Sequence, residues 1–159
     1  MELYFDIDLC IGCGACEQAC AEVNRGEKRI NVELFEGRFP LSGVCRQCEN
    51  SPCLKACPKD AIKRVGDTVV VNENLCIGCR SCSIVCPFGN IEFRELRHVS
   101  TKCDECIGKL EDGRKPACAS VCPTGALMYC EFEEMEAIAA RARRKREMVG
   151  ARLFAWRPK

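Results

Sequence analysis

The sequence predicts a small α+β protein in which short helices and hairpins surround several cysteine clusters. Three observations support this fold class. The chain has 159 residues, of which 17 are cysteine, while aromatic residues make up only 6%. Sixteen of these cysteines repeat in four groups of four. Short segments of alternating apolar and polar residues separate the groups, and such segments are typical of β-hairpins. With so few aromatic residues, we expect side-chain burial alone to be a weak source of stability.

The four cysteine groups share a spacing that predicts a repeated structural unit. The third and fourth cysteines of each group are four residues apart, so they would lie on one face of a short helix. Three groups end in Cys-Pro, which favours the end of a helix there. The first group ends in Cys20-Ala21 instead, so we expect a different chain path after Cys20. The groups are Cys10, Cys13, Cys16 and Cys20; Cys45, Cys48, Cys53 and Cys57; Cys76, Cys79, Cys82 and Cys86; and Cys103, Cys106, Cys118 and Cys122.

Cysteine-rich chains are usually disulfide scaffolds or metal proteins. The first residues, MELYFDIDLC, lack the basic start and apolar segment of a signal peptide, so we expect the cytoplasm, where thiols stay reduced. An odd number of cysteines also prevents complete disulfide pairing within one chain. Zinc ribbons use two C-x2-C pairs per ion and would leave the third and fourth cysteines of each group unexplained.

The remaining bulk properties exclude other classes. A net charge of +1 predicts neither nucleic-acid nor membrane binding, and no apolar stretch approaches the length of a membrane span. No nucleotide loop and no nucleophile–base pair is recognisable, so we expect a protein without its own catalytic residues.

The spacing C-x2-C-x2-C-x3-C-P is that of bacterial ferredoxins, in which three cysteines bind one [4Fe–4S] cluster and the fourth binds its neighbour. Sixteen thiolates at four per cluster predict four [4Fe–4S] clusters. Gly12 and Gly78 suit the tight C-x-x-C loops. Apolar neighbours of the cysteines are expected to shield the clusters from water; these are Ile11, Ile77, Val85, Ile107 and Val121.

The link between groups two and three predicts how the units are arranged. It has 18 residues and contains a predicted hairpin, Ile62 to Val65 and Thr68 to Val71 around Gly66-Asp67. Residues 43–94 are therefore predicted to form one ferredoxin-like unit. Groups one and four remain to form a second unit from residues 1–42 and 95–130. The predicted fold is two interleaved ferredoxin units with short hairpins and a C-terminal helix.

Two segments lie outside the cysteine groups. Arg29 to Leu41 predicts a hairpin turning at Glu36-Gly37, either covering a cluster or docking a partner. Residues 131–159 predict a helix followed by an apolar tail. The helix has early acids, late bases and Gly150 after its end, and its apolar stripe is Phe132, Met135, Ile138 and Ala142. The tail contains Leu153, Phe154 and Trp156. We expect docking or self-association here, with folding back onto the core as the alternative. No motif assigns a role to His98, and Cys130 is expected to be a buried thiol.

The four groups, in this order and with these gaps, resemble the four-cluster ferredoxin-like electron-transfer subunits of molybdenum and tungsten oxidoreductases. These include formate dehydrogenase, aldehyde oxidoreductase and dimethyl-sulfoxide-reductase-type complexes. The resemblance covers about residues 3–130. It implies that group one pairs with group four and group two with group three. The implied ligand sets are Cys10, Cys13, Cys16 and Cys122; Cys20, Cys103, Cys106 and Cys118; Cys45, Cys48, Cys53 and Cys86; and Cys57, Cys76, Cys79 and Cys82.

The resemblance also implies a function in anaerobic metabolism. A large catalytic subunit carrying pterin-bound molybdenum or tungsten would exchange electrons with this chain, with an aldehyde or formate as substrate. A second redox partner would be a flavin subunit, a hydrogenase or a soluble ferredoxin, and self-association through the tail could form filaments. The alternatives are a free polyferredoxin shuttle and an electron-transfer subunit of a hydrogenase or carbon monoxide dehydrogenase system.

Overall fold

The structure, a computed structural model, describes residues 1–36, 39–109, 114–138, 140, 141 and 144. Short helices and strands alternate through this part of the chain, so the predicted α+β class is confirmed. The elements are β1 (Glu2–Phe5), a 3-10 helix (Ile7–Leu9), α1 (Ala15–Val23), β2 (Asn31–Phe35), β3 (Phe39–Gly43), α2 (Pro52–Lys55), β4 (Ile62–Val65), β5 (Thr68–Val71), α3 (Ser81–Val85), β6 (Ile91–Arg94), β7 (Val99–Lys102), α4 (Ala117–Val121) and β8 (Leu127–Cys130).

The described strands form four separate antiparallel pairs. Three are hairpins of consecutive strands, and the fourth pairs β1 with β8, with Glu2 opposite Cys130. The predicted hairpin before group three is confirmed as β4–β5, with Val65 opposite Thr68. The predicted hairpin after group one is confirmed as β2–β3, although Gly37 of its predicted turn lies outside the described residues. Since isolated two-stranded sheets are marginal in water, these pairs depend on what packs between them.

Proline controls where the cysteine helices end. Cys86 and Cys122 immediately follow α3 and α4 and have extended backbone, as expected for a residue before proline. Cys57 likewise lies beyond α2. The fourth cysteine of these three groups is therefore outside its helix, contrary to the prediction. Cys20 is followed by alanine, so α1 continues for 9 residues and keeps Cys16 and Cys20 within one helix. The predicted difference in chain path after Cys20 is confirmed.

Cysteine side chains form much of the buried core. One core group contains four apolar residues, Leu3, Ile30, Val44 and Leu127, together with the cysteines Cys16, Cys20, Cys103 and Cys118. The second core group is smaller and contains Ile62, Val69, Cys82 and Ile91. Because these two core groups contain so few apolar residues other than cysteine, we expect whatever the cysteines bind to contribute strongly to the stability of the fold.

The start of the predicted C-terminal helix is present, since residues 132–138 are helical. Met135 packs against a small group formed by Tyr4, Met128 and Cys130. Cys130 is buried, as predicted. Ala142, Gly150 and the apolar tail 151–159 lie outside the described residues. No helix in the described part of the chain is both long and apolar enough to cross a membrane.

Among the glycines that the structure describes, Gly78 has the closest backbone neighbour. Its φ is +70°, and an added Cβ would lie 2.5 Å from the carbonyl oxygen of His98. Gly66 has a similar φ of +58°, but a Cβ there would meet nothing within 4 Å. The predicted need for glycine in this C-x-x-C loop therefore has two causes, backbone conformation and close packing.

Gly78→Ala is expected to destabilise the cluster-loaded protein by about 3 kcal/mol, because the left-handed conformation and the backbone overlap both oppose a Cβ. Gly66→Ala should cost only about 1 kcal/mol, since only the conformational term applies. Anaerobic thermal denaturation of both variants, followed by visible absorbance, measures the difference. Equal melting temperatures for the two variants would contradict the packing argument.

Candidate cluster-binding sites

Three cavities in the structure are each lined by four cysteines drawn from two different cysteine groups. Their empty volumes, including open solvent at the mouth, are about 360, 360 and 340 Å³, so the three cavities are similar in size. We number the sites along the proposed path: site 1 is Cys10, Cys13, Cys16 and Cys122, site 3 is Cys45, Cys48, Cys53 and Cys86, and site 4 is Cys57, Cys76, Cys79 and Cys82.

The remaining cysteine set, here called site 2, is buried. All four of its members, Cys20, Cys103, Cys106 and Cys118, are buried. Cys20, Cys103 and Cys118 belong to one buried core group, and Cys106 lies near enough to Cys118 to help raise its pKa. The structure thus brings together the members of each set that the resemblance implied, although group one and group four are far apart in the chain.

Secondary structure explains how distant cysteine groups meet. The β1–β8 pair joins the two ends of the first unit, and α1 packs extensively against α4. Helices α2 and α3 pack against each other next to the β4–β5 hairpin. Each of these helices, together with the residues just after it, supplies cysteines to two sites. Helix α1, for example, carries Cys16 of site 1 and Cys20 of site 2.

Backbone amides donate hydrogen bonds to cysteine sulfurs at sites 1, 2 and 4. At site 1, the N–H groups of Gly12 and Leu127 lie 3.4 Å from Cys10 Sγ and 3.5 Å from Cys122 Sγ. At site 2, the N–H of Arg29 lies 3.2 Å from Cys20 Sγ. Site 4 receives such bonds from the N–H groups of Ala61 and Ser100, at 3.3 and 3.4 Å. Hydrogen bonds to sulfur stabilise thiolates and influence cluster potential.

Burial strongly disfavours free thiolates at site 2. Burial raises the pKa of Cys118 to about 12 and raises that of Cys103 further. At site 1, burial raises the pKa of Cys16 to about 11. Burial also opposes ionisation of Cys122, but hydrogen bonds from Leu127 and Thr124 outweigh it and lower the pKa. Buried thiols of this kind need bound metal to become thiolates.

The donor set fits [4Fe–4S] clusters. Each iron of such a cluster takes a single thiolate, so four cysteines must surround the group instead of converging on one ion. Cysteine sets of this kind line the three cavities. No group of three or more His, Cys, Asp or Glu side chains within residues 1–36, 39–109 and 114–138 is close enough to hold a single metal ion.

Solvent exposure differs between the sites. Site 1 and site 4 each contain one exposed cysteine, Cys13 and Cys79, whereas all cysteines of site 2 are buried and those of site 3 are partly buried. Hydrogen bonds from Ser81 lower the pKa of Cys79. Sites 1 and 4 are therefore the two sites with a fully exposed cysteine.

The apolar neighbours of the cysteines are more exposed than predicted. Ile11 and Ile77 line the cavities of site 1 and site 4, yet 61% and 58% of their surfaces are accessible. Val85, Ile107 and Val121 are also exposed. The expectation that they shield clusters from water is thus only partly correct. Ile11 and Ile77 lie in the middle of C-x-x-C loops at the surface, and these loops turn them outward.

A polar network that the sequence did not predict joins site 2 to the inserted unit. The Arg29 guanidinium contacts Asp104 at 2.8 Å and Glu73 at 3.2 Å.

Lys102, immediately before Cys103, is buried and lines the cavity of site 3. Its position next to a cysteine was visible in the sequence, but its burial was not. His98, in contrast, is exposed and contacts only the edge of Phe93 among the aromatic rings described.

Comparisons with known proteins agree with this chemistry. The family model described as a 4Fe-4S dicluster domain matches residues 38–132, and a 4Fe-4S binding domain model matches residues 3–20. Formate hydrogenlyase subunit 2 of Escherichia coli K12 is 34% identical over 91% of this chain and 87% of its own length. A polypeptide of the anaerobic dimethyl sulfoxide reductase of the same strain is 32% identical over 83% of this chain and 74% of its own length.

A third relative is larger. The putative oxidoreductase UacF of E. coli K12 is 37% identical over 86% of this chain, but the match spans only 22% of UacF. Matches to both family models and to full-length relatives, together with the cysteine-lined cavities, establish the class of protein. This chain belongs to the 4Fe-4S dicluster domain family and is an iron–sulfur protein of the electron-transfer type.

Proposed function

We propose that the chain relays single electrons through four [4Fe–4S] clusters, bound at sites 1 to 4, between a catalytic subunit and a second redox partner. The observation that carries this proposal is the arrangement of the cysteine sets. The two exposed cysteines, Cys13 and Cys79, belong to sites 1 and 4, whereas every cysteine of sites 2 and 3 is buried or partly buried. When bound, the clusters supply the one-electron chemistry, and the chain supplies spacing, hydrogen bonds and docking surfaces.

Shared elements support the order 1–2–3–4. Helix α1 contributes to sites 1 and 2, and α4 with the residue after it does the same through Cys118 and Cys122. Cys45 of site 3 acts electrostatically on Cys103 of site 2, so these two sets are neighbours. Helix α3 with its following residue contributes Cys82 to site 4 and Cys86 to site 3.

The units proposed from the sequence are residues 1–42 with 95–130, the inserted residues 43–94, and the C-terminal segment 131–159. The proposed boundary at 94/95 falls in the turn between β6 and β7, so one hairpin belongs to both units. We assign docking or self-association, including filament formation, to the C-terminal segment, because the sequence combines a basic helix with an apolar tail there.

The proposed catalytic partner is a molybdenum- or tungsten-pterin oxidoreductase of the aldehyde oxidoreductase or formate dehydrogenase type, in the cytoplasm. The second redox partner is a flavin subunit, a hydrogenase or a ferredoxin. The similarity to formate hydrogenlyase subunit 2 favours a formate-linked or hydrogenase-linked complex as the alternative to an aldehyde-oxidising one. The chain itself is proposed to be non-catalytic.

Anaerobic affinity purification from the native host tests the proposal. The full chain is expected to contain about sixteen irons and to retain a large molybdenum- or tungsten-containing partner. A chain lacking residues 147–159 should keep its iron but retain less partner, because the docking segment is removed. Iron and sulfide analysis with elemental analysis of the eluate measures both. Four or fewer irons, stoichiometric zinc, or a loaded chain without a redox partner would overturn the proposal.

A further inference from the structure

Lys102 is a buried ammonium group at the junction of sites 2 and 3. Only 3% of the residue is exposed. It is the last residue of β7 and precedes Cys103 of site 2, while its side chain lines the cavity of site 3. Lysine is almost never fully buried unless its charge is compensated, so this position needs a physical explanation.

Neutral acceptors hold the ammonium group in place. It donates hydrogen bonds to the carbonyl oxygens of Val69 and Cys103, the latter at 2.9 Å, and to Gln47 Oε1 at 3.2 Å. These three bonds use all three donors of a lysine. Gln47 is fixed in turn, since its amide donates to the Cys103 carbonyl at 3.1 Å and accepts from the Val69 N–H at 2.9 Å. The nitrogen is therefore held rigidly.

None of these acceptors neutralises the positive charge. No carboxylate in the described part of the chain forms an ion pair with Lys102. The positive charge of Lys102 acts on Glu105 without forming an ion pair with it. The Glu105 carboxylate instead accepts a 2.9 Å hydrogen bond from the Thr68 hydroxyl. Hydrogen bonding alone satisfies the donors but leaves a buried net charge.

A [4Fe–4S] cluster with four thiolates supplies the missing negative charge. Such a group is net negative and gains one more negative charge on reduction, so a nearby fixed cation stabilises the reduced form more than the oxidised form. Site 3 is the set whose cavity Lys102 lines.

Resting on the four-cluster relay, we propose that Lys102 raises the reduction potential of the cluster at site 3, making it the preferred resting place for an electron crossing between the two units. The exchange moves one electron from a neighbouring cluster, and no bond forms or breaks. Lys102 thus acts through its charge alone: it changes the reduction potential of the site 3 cluster and so influences where the electron resides.

Potentiometric titration of the purified, loaded full chain, followed by electron paramagnetic resonance, tests the inference. Lys102→Met should shift the site 3 midpoint to lower potential and leave those of sites 1 and 4 unchanged. Lys102→Arg keeps the charge and should stay near wild type. Lys63→Met removes a lysine that is exposed and should shift nothing. Cys48→Ser, which alters a site 3 cysteine, identifies the signal that belongs to this site.

The outcomes separate this inference from the proposed relay. Four loaded clusters with an unshifted site 3 midpoint in Lys102→Met would overturn the role of Lys102 and leave the relay intact. Fewer than four clusters in the wild type would instead overturn the relay. If Lys102→Met fails to fold, Lys102→Gln replaces it as the neutral variant, because the glutamine amide can still donate to the carbonyl oxygens of Val69 and Cys103. If both neutral variants lose the site 3 cluster and Lys102→Arg keeps it, Lys102 holds the cluster and the tuning role is overturned.

Discussion

Removing iron and sulfide is expected to unfold most of the chain. Half of the residues in the larger core group are cysteines of sites 1 and 2, and the smaller core group has only three other buried residues. The sheets are separate two-stranded pairs, which are marginal alone. In structural metal sites the binding free energy is folding free energy, on the order of 10 kcal/mol, which matches the entire stability of a typical domain. Several clusters together therefore exceed any margin that apolar burial supplies.

Far-UV circular dichroism and limited proteolysis of the cluster-free chain measure this effect. The reduced chain without iron should lose most of its helix and strand signal and be cleaved rapidly, including in the β4–β5 hairpin. Reconstitution with iron and sulfide under anaerobic conditions is the control and should restore protection. A cluster-free chain with a native spectrum and a cooperative melting transition would contradict the expectation.

Local sequence rules predicted the elements well where the signal was local. Alternation and a Gly-Asp turn predicted β4 and β5 with the same bounds that the structure has. The absence of proline after Cys20 predicted a different path there, and α1 is indeed longer than the other cysteine helices. The pairing of β1 with β8 was not predicted, because nothing in either strand's sequence specifies a partner more than a hundred residues away.

Burial was harder to predict than secondary structure. Ile11 and Lys102 have opposite chemistry and opposite placement, since the isoleucine is 61% exposed and the lysine 3% exposed. Residue type alone predicts the opposite, a buried isoleucine and an exposed lysine. The cysteine sites change the burial expected from residue type. The C-x-x-C loop containing Ile11 lies at the surface, while Lys102 lies between two sets of thiols. Residues that depart from the general rule are therefore found beside the sites.

Serine variants of two cysteines four residues apart in α1 are expected to damage different clusters. Cys16→Ser should alter the same resonance signal as Cys122→Ser, because both residues line site 1. Cys20→Ser should instead alter the same signal as Cys118→Ser, because these two thiols lie together in site 2. Each variant is expected to lose up to about four of sixteen irons, since one cluster contains four. Iron analysis and electron paramagnetic resonance of the four single variants measure this.

Cys130→Ser is the matched control, because Cys130 is buried like the site 2 cysteines but packs against Met128 and Met135 outside all four sets. It should keep every cluster signal. If Cys16→Ser and Cys20→Ser alter one common signal, each cysteine group binds its own cluster, and the crossed assignment is wrong.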